Sequence, residues 1–175
     1  MSITVLTDAT DADLPEIAAI YAHHVLSGTG TFEAIPPSVE EIAARHAAGI
    51  AAGYTWLVAR DATGVIGYGY YGPFRARDAY RWTVEDSVYV RQDVRGQGVC
   101  KLLVAALVDR AEASGMRQMF ALIGDSDNAG SIGLHASLGF TRAGVMRGAG
   151  RKFGRWLDVV IMQRTLGAGE NVPPD

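Results

Sequence analysis

The chain has 175 residues, 49% of them hydrophobic and 20% charged, with a formal net charge of −3. Those values suit one domain with a sizeable core and offer nucleic acid no basic stripe to bind. A lone cysteine, Cys100, excludes an internal disulfide, and four histidines without a matching thiol or carboxylate set give no metal-ligand pattern. No apolar run reaches membrane-spanning length, and the residues after Met1 lack the basic-then-apolar order of a leader. The expectation is a cytoplasmic protein with no membrane or nucleic-acid partner.

Ile3 to Leu6 reads as a first strand. Apolar residues at Leu14, Ile17, Ala18, Tyr21 and Val25 predict an amphipathic helix over 13–26, capped from Thr10–Asp13 and ended by the Ser27–Thr31 segment. After an extended connector with Pro36 and Pro37, Ser38 and Glu41 have the spacing of a capping box and open a second helix to about Ala51. Two strand-like runs, 55–60 and 65–71, flank the turn Asp61-Ala62-Thr63-Gly64. A basic loop over 73–80 precedes a strand over 81–90. A helix over 98–114, a strand over 119–123, a short helix over 129–138 and strands over 140–145 and 158–166 complete the chain. The order β-α-α-β-β-β-α-β-α-β-β predicts a mixed α/β fold, a central sheet flanked by helices.

The segment between the strand ending at Val90 and the helix starting at Gly98 carries two glycines, Gly96 and Gly98, among the cations Arg91, Arg95 and Lys101. A glycine-rich turn feeding a helix N-terminus leaves backbone N–H groups free and lets phosphate approach them. Val99 after Gly98 excludes a nucleotide P-loop, and Lys101 stands where a dinucleotide fingerprint needs its third glycine. A turn with glycines for geometry alone has no need of three cations. The segment is therefore read as a phosphate site.

Arg95-Gly96-Gln97-Gly98-Val99 resembles the pyrophosphate loop of the GCN5-related N-acetyltransferase (GNAT) superfamily, with Cys100 replacing the usual glycine or alanine at the last position. Asn128 to Phe140 resembles the superfamily's later motif, with His135 where most members carry a tyrosine that protonates the departing thiolate. Gly72 to Arg77, Ala79 to Val90 and Lys152 to Val159 are similar to the phosphinothricin and methionine sulfoximine acetyltransferases within it. The resemblance implies a GNAT fold in one domain over 1–166, with 167–175 as a disordered tail. It implies acetyl-CoA as co-substrate with no metal, a small amino-acid-like substrate, and a homodimer. Detoxification of glutamate-like toxins such as phosphinothricin is the function it favours. The alternatives are acetylation of another small amine or a protein N-terminus, or a non-catalytic acetyl-CoA sensor.

Residue roles follow from the same resemblance. Glu85, a charge in mid-strand, is the general base; from the residues alone it is equally a solvated strand residue or half of an ion pair. His135 is a general acid or supports the site. Backbone groups of Val88 and Val90 grip the pantetheine arm. Arg95, Gly96, Gln97, Gly98, Val99, Cys100 and Lys101 hold the pyrophosphate, and Asn128 and Ser131 hold the pantetheine. The Cys100 thiol packs against the cofactor, or is a nucleophile that a helix start would activate. Arg75, Arg77 and Tyr80 form an anion pocket for the substrate, with Phe32 as an apolar wall. Trp156 is a second wall or a core residue.

Overall fold

The computed structural model describes residues 5–173. Seven strands form one sheet: β1 (Val5–Asp8), β2 (Trp56–Asp61), β3 (Gly64–Pro73), β4 (Thr83–Val90), β5 (Gln118–Gly124), β6 (Thr141–Lys152) and β7 (Arg155–Thr165). Their spatial order is β1-β2-β3-β4-β5-β7-β6. Every neighbouring pair is antiparallel except β4 and β5, which run parallel. Four helices complete the fold: α1 (Leu14–Ser27), α2 (Val39–Ala51), α3 (Val99–Ala113) and α4 (Ala129–Ser137). The predicted element order is the observed one. Ile3 and Thr4 of the predicted first strand lie outside the described residues.

The sheet is buried on both faces. Trp56, Val58, Val65 and Tyr68 pack with Ile17, Tyr21, Val25 and Ile42 of α1 and α2 on one side. Leu57, Ala59, Ile66, Val84 and Met119 pack with Leu103, Leu107 and Val108 of α3 on the other. Two-sided burial is why Trp56 to Ala59 is an unbroken apolar run rather than an alternating one. Ser38 caps α2 as its sequence foretold, accepting a hydrogen bond from the Glu41 N–H at 3.2 Å.

Strands β6 and β7 run well beyond the predicted 140–145 and 158–166. They meet in a two-residue turn in which both Phe153 (φ 51°) and Gly154 (φ 77°) are left-handed, the geometry hairpins of this length require. Past β7, Leu166 is buried, and the Gly169 and Asn171 N–H groups donate to the Leu166 and Ala168 carbonyls.

Candidate active site at the β4–β5 splay

Pairing between β4 and β5 ends at Asp86 and Ala121. Beyond it the strands separate, because β4 stays registered with β3 as far as Val90 while β5 follows β7 to Gly124. The Phe74 N–H donates to the Thr83 carbonyl and the Arg91 N–H to that of Ile66. Hydrogen bonding to β3 therefore falls on the odd residues of β4, and Val84, Asp86, Val88 and Val90 turn their backbone groups toward β5. At Val88 and Val90 these groups face the opening. One is taken: the Val90 carbonyl is 2.8 Å from His24 Nε2. Burial lowers the His24 pKa more than that bond raises it, so the ring is neutral and donates its Nε2 proton.

The opening is the mouth of a cavity of about 780 Å³. The structure brings Val88, Val90, Arg95, Gly96, Gly98, Val99, Cys100, Lys101, Asn128, Ser131 and His135 around it. Of the predicted cofactor residues, Gln97 does not line it: its side chain turns back to the Asp93 carbonyl at 3.1 Å. Within the loop the N–H groups of Arg95 and Gln97 are already bonded, to the Gln92 and Val94 carbonyls. That corrects the expectation that the whole loop offers its N–H groups. Among the described residues, the Gly96 and Gly98 N–H groups stay unbonded, as do those at the head of α3, where the first helical bond runs from the Leu102 N–H to the Gly98 carbonyl, leaving Val99, Cys100 and Lys101 without helical partners. Gly98 caps this helix in the left-handed region (φ 84°), and nothing would contact a Cβ there. The glycine thus serves backbone conformation.

Arg91 leaves the phosphate reading. Its guanidinium makes a two-armed pair with Asp93, 2.8 Å for each arm, and reaches Thr63. Arg95 and Lys101 are exposed and free of ion pairs among the described residues. Cys100 is half-buried against the core on the α3 side, and burial raises its thiol pKa. The helix start does not activate it, which argues against the nucleophile reading. Asn128 caps α4, accepting from the Ser131 N–H at 3.2 Å.

Glu85 lies on the opposite face of β4, opposite Gly72 of β3 and level with Phe120 of β5. Its side chain is 33% exposed, with Arg75 Nη1 at 3.8 Å. Burial raises its carboxyl pKa above the usual glutamate value; Arg75 opposes this and neighbouring Asp86 adds to it. Phe74 stacks on Phe120 (centroids 4.5 Å apart), with Tyr80 edge-on to it and the Arg75 guanidinium 4.2 Å from its ring centre. Arg75 and Tyr80 thus share one aromatic platform beside Glu85. Arg77 stays exposed and joins no ion pair among the described residues. Phe32 lies against Gly124 and Gly150. Trp156 is 68% exposed on the β6–β7 hairpin, so it is not a core residue.

Several residues at this site escaped the sequence reading. Lys152, nearly buried, donates to the Gly28 and Thr31 carbonyls, each at 2.8 Å, and pins the α1–α2 loop that carries Phe32. Tyr21 and Arg45 hold Glu33 of the same loop at 3.0 and 2.7 Å. Asp86 is the more deeply buried of the two adjacent carboxylates, at 6% exposure. Its signal was in the sequence: it breaks the apolar set Val84, Val88 and Val90 on one strand face. Among the described residues no three His, Cys, Asp or Glu side chains are grouped to hold a metal ion.

The chain is similar to known proteins over nearly its whole length. It is 50% identical over 165 residues to the phosphinothricin N-acetyltransferase of Alcaligenes faecalis, covering 94% of this chain and 84% of that protein. It is 46% identical over 169 residues to the L-methionine sulfoximine/L-methionine sulfone acetyltransferase of Pseudomonas paraeruginosa, covering 96% and 98%. The crystal structure of a phosphinothricin acetyltransferase from Sinorhizobium meliloti, in complex with acetyl-CoA, superposes with a TM-score of 0.95 at 46% identity, covering 98% of this chain and 93% of that one. The acetyltransferase (GNAT) domain family matches residues 6–161. With the parallel strands splayed over a cavity and an anion-binding helix head beside it, this match settles the family: the chain is a GNAT acetyltransferase.

Proposed function

We propose that the protein transfers an acetyl group from acetyl-CoA to the α-amino group of a small amino-acid analogue of the phosphinothricin or methionine sulfoximine kind. One observation carries the reading: at a single point of β4, a proton acceptor on one face backs onto a long cavity with an anion-binding end on the other. The names of the relatives support the substrate class.

The cavity residues suit acetyl-CoA. The head of α3 with Arg95 and Lys101 suits a pyrophosphate, and the open backbone edge at Val88 and Val90 suits a chain of amides. Acetyl-CoA supplies the acetyl group as a thioester. Glu85 takes a proton from the substrate ammonium, leaving a nucleophilic amine. Burial raises its pKa toward neutral pH, which favours a general base. Arg75 meets the substrate carboxylate or phosphinyl oxygen, Arg77 adds positive potential, and Phe32 walls the far side. His135 holds a proton on the cavity side.

Two tests address the two halves of the reading. Thiol release from acetyl-CoA is expected with L-phosphinothricin and L-methionine sulfoximine and not with spermidine, because a polycation is repelled by the Arg75–Arg77 loop. Turnover with spermidine alone would contradict the anion pocket. For the cofactor, Arg95→Ala is expected to weaken acetyl-CoA binding and to flatten its salt dependence. Asn128→Ala is expected to weaken binding with the wild-type salt slope. Equal slopes in titrations of the two variants would contradict this division of roles.

A further inference from the structure

We infer that Asp86 is a positioning residue that holds His135 doubly protonated in the wall of the cofactor cavity. The inference rests on the acetyltransferase reading for its consequence, but not for its geometry. His135 is 3% exposed. Its Nδ1 lies 2.8 Å from the Ser131 carbonyl and its Nε2 lies 3.1 Å from Asp86 Oδ2. A carbonyl only accepts, so Nδ1 carries a hydrogen. A carboxylate only accepts, so Nε2 carries the other. The ring of Phe140 packs edge-on at 5.0 Å and fixes the imidazole plane. The second Asp86 oxygen, Oδ1, is buried and bonded to no group among the described residues, and Asp86 itself lines the cavity.

Among the described residues, Asp86 is the one charged group paired with this histidine. Strand β5 carries no titratable residue from Gln118 to Gly124. On β7, Arg164 points to the Leu138 carbonyl and to Glu112 of α3. Cys100 and Lys101 of α3 lie at the loop end of the cavity. Burial works against a charged imidazole, yet the Asp86 carboxylate, aided by the Ser131 carbonyl, outweighs it, so the His135 pKa stands above the ordinary histidine value. A raised histidine pKa means that the protonated form survives to higher pH.

Neighbouring carboxylates therefore hold opposite tasks on the two faces of one strand. Glu85 is free to take a proton on the substrate side. Asp86 keeps a proton stored on His135, on the cofactor side. When His135 releases its Nδ1 proton, the electron pair stays on Nδ1 and the neutral ring keeps its Nε2–H on Asp86. Ser131 Oγ, 3.4 Å from Nδ1, takes that proton as it gives its own hydroxyl proton to the thiolate released by acetyl transfer.

The test is long-range ¹H–¹⁵N spectroscopy of the four histidines in the full-length protein, from about pH 6 to 9, spanning the ordinary histidine pKa. His135→Gln supplies the assignment. One ring doubly protonated at neutral pH, lost in His135→Gln and turned into the neutral Nδ1–H form by Asp86→Asn, is expected. In kinetics, Asp86→Asn is expected to bring the alkaline limb of kcat down by about one pH unit or more, a tenfold loss of rate near that limb, with the acid limb moving less, and downward, because Asp86 is the weakest of the influences on Glu85. A neutral His135 in the wild-type protein at neutral pH would overturn the inference without any variant. So would an Asp86→Asn protein that keeps the wild-type titration and alkaline limb. Wild-type protein showing the expected titration but no acetyl transfer to any amine would support the pairing and overturn the acetyl-transfer reading alone.

Discussion

Glu85→Gln is expected to lower kcat by roughly 10²–10⁴, the usual worth of a positioned general base. Glutamine keeps the size and shape of the side chain but cannot take a proton. The half-buried site raises the Glu85 pKa despite Arg75 at 3.8 Å. The base works only when ionised, so activity is lost as pH falls through this raised pKa. The acid limb of kcat/KM therefore lies above the ordinary glutamate value, and the variant lacks it. Stability separates loss of chemistry from loss of fold. A carboxyl whose folded pKa is raised destabilises the folded state increasingly as pH climbs through that interval. Removing the charge is thus expected to leave the neutral-pH melting temperature unchanged or slightly higher. Near-wild-type turnover in Glu85→Gln, or loss of activity together with a lowered melting temperature, would contradict the assignment.

Gly124→Ala is the substitution expected to damage the site most without touching a polar side chain. A Cβ there would sit 2.1 Å from the Thr29 carbonyl oxygen and 3.0 Å from the Phe32 ring. The first neighbour is backbone and cannot rotate away. Nor can the loop drift, because Lys152 holds it at Gly28 and Thr31. Overpacking of this kind costs about 1–3 kcal/mol. At roughly 2–4 °C per kcal/mol for a chain of this size, melting should fall by several degrees. Since the loop carries Phe32, kcat/KM for the amino-acid substrate is expected to drop by about 10²-fold, as misplacements of about 1 Å can produce. Gly150→Ala is the control. The three atoms nearest to its Cβ all belong to the Phe32 ring, and a ring can tilt. It should therefore alter substrate KM with a smaller loss of stability. Wild-type melting and kinetics in Gly124→Ala would show that the loop is not held as described.

The contrast between these two sites shows what a linear sequence reveals. Element order was legible because each helix carries its own apolar stripe and cap, as at Leu14 to Val25 and at Ser38 with Glu41. The glycine loop was legible because Gly96, Gly98, Arg95 and Lys101 lie within seven residues. The length of the last hairpin was not. Gly144, Gly148 and Gly150 dilute the apolar pattern, and register shifts between Arg142 and Gly144 and between Met146 and Gly150 break its period of two. Phe153-Gly154 was the available turn signal. The Asp86–His135 pair joins residues 49 apart, and Lys152 reaches a loop more than 120 positions away. Such contacts exist only once α4 docks beside β4 and the hairpin folds over the α1–α2 loop. Arg91 shows the opposite error: it has the right charge in the right segment, but its two-residue spacing to Asp93 decides its partner first.

Acetylation of an α-amino group leaves a product whose linkage can be read atom by atom. The protein would be incubated with acetyl-CoA carrying a ¹³C-labelled acetyl group and with L-phosphinothricin, and the products read by mass spectrometry and NMR. A single labelled product is expected, bearing the acetyl group in amide linkage on the α-nitrogen, with one free thiol released per product formed. Labelled acetate alone, or label retained on the protein at Cys100, would contradict direct transfer to the amine.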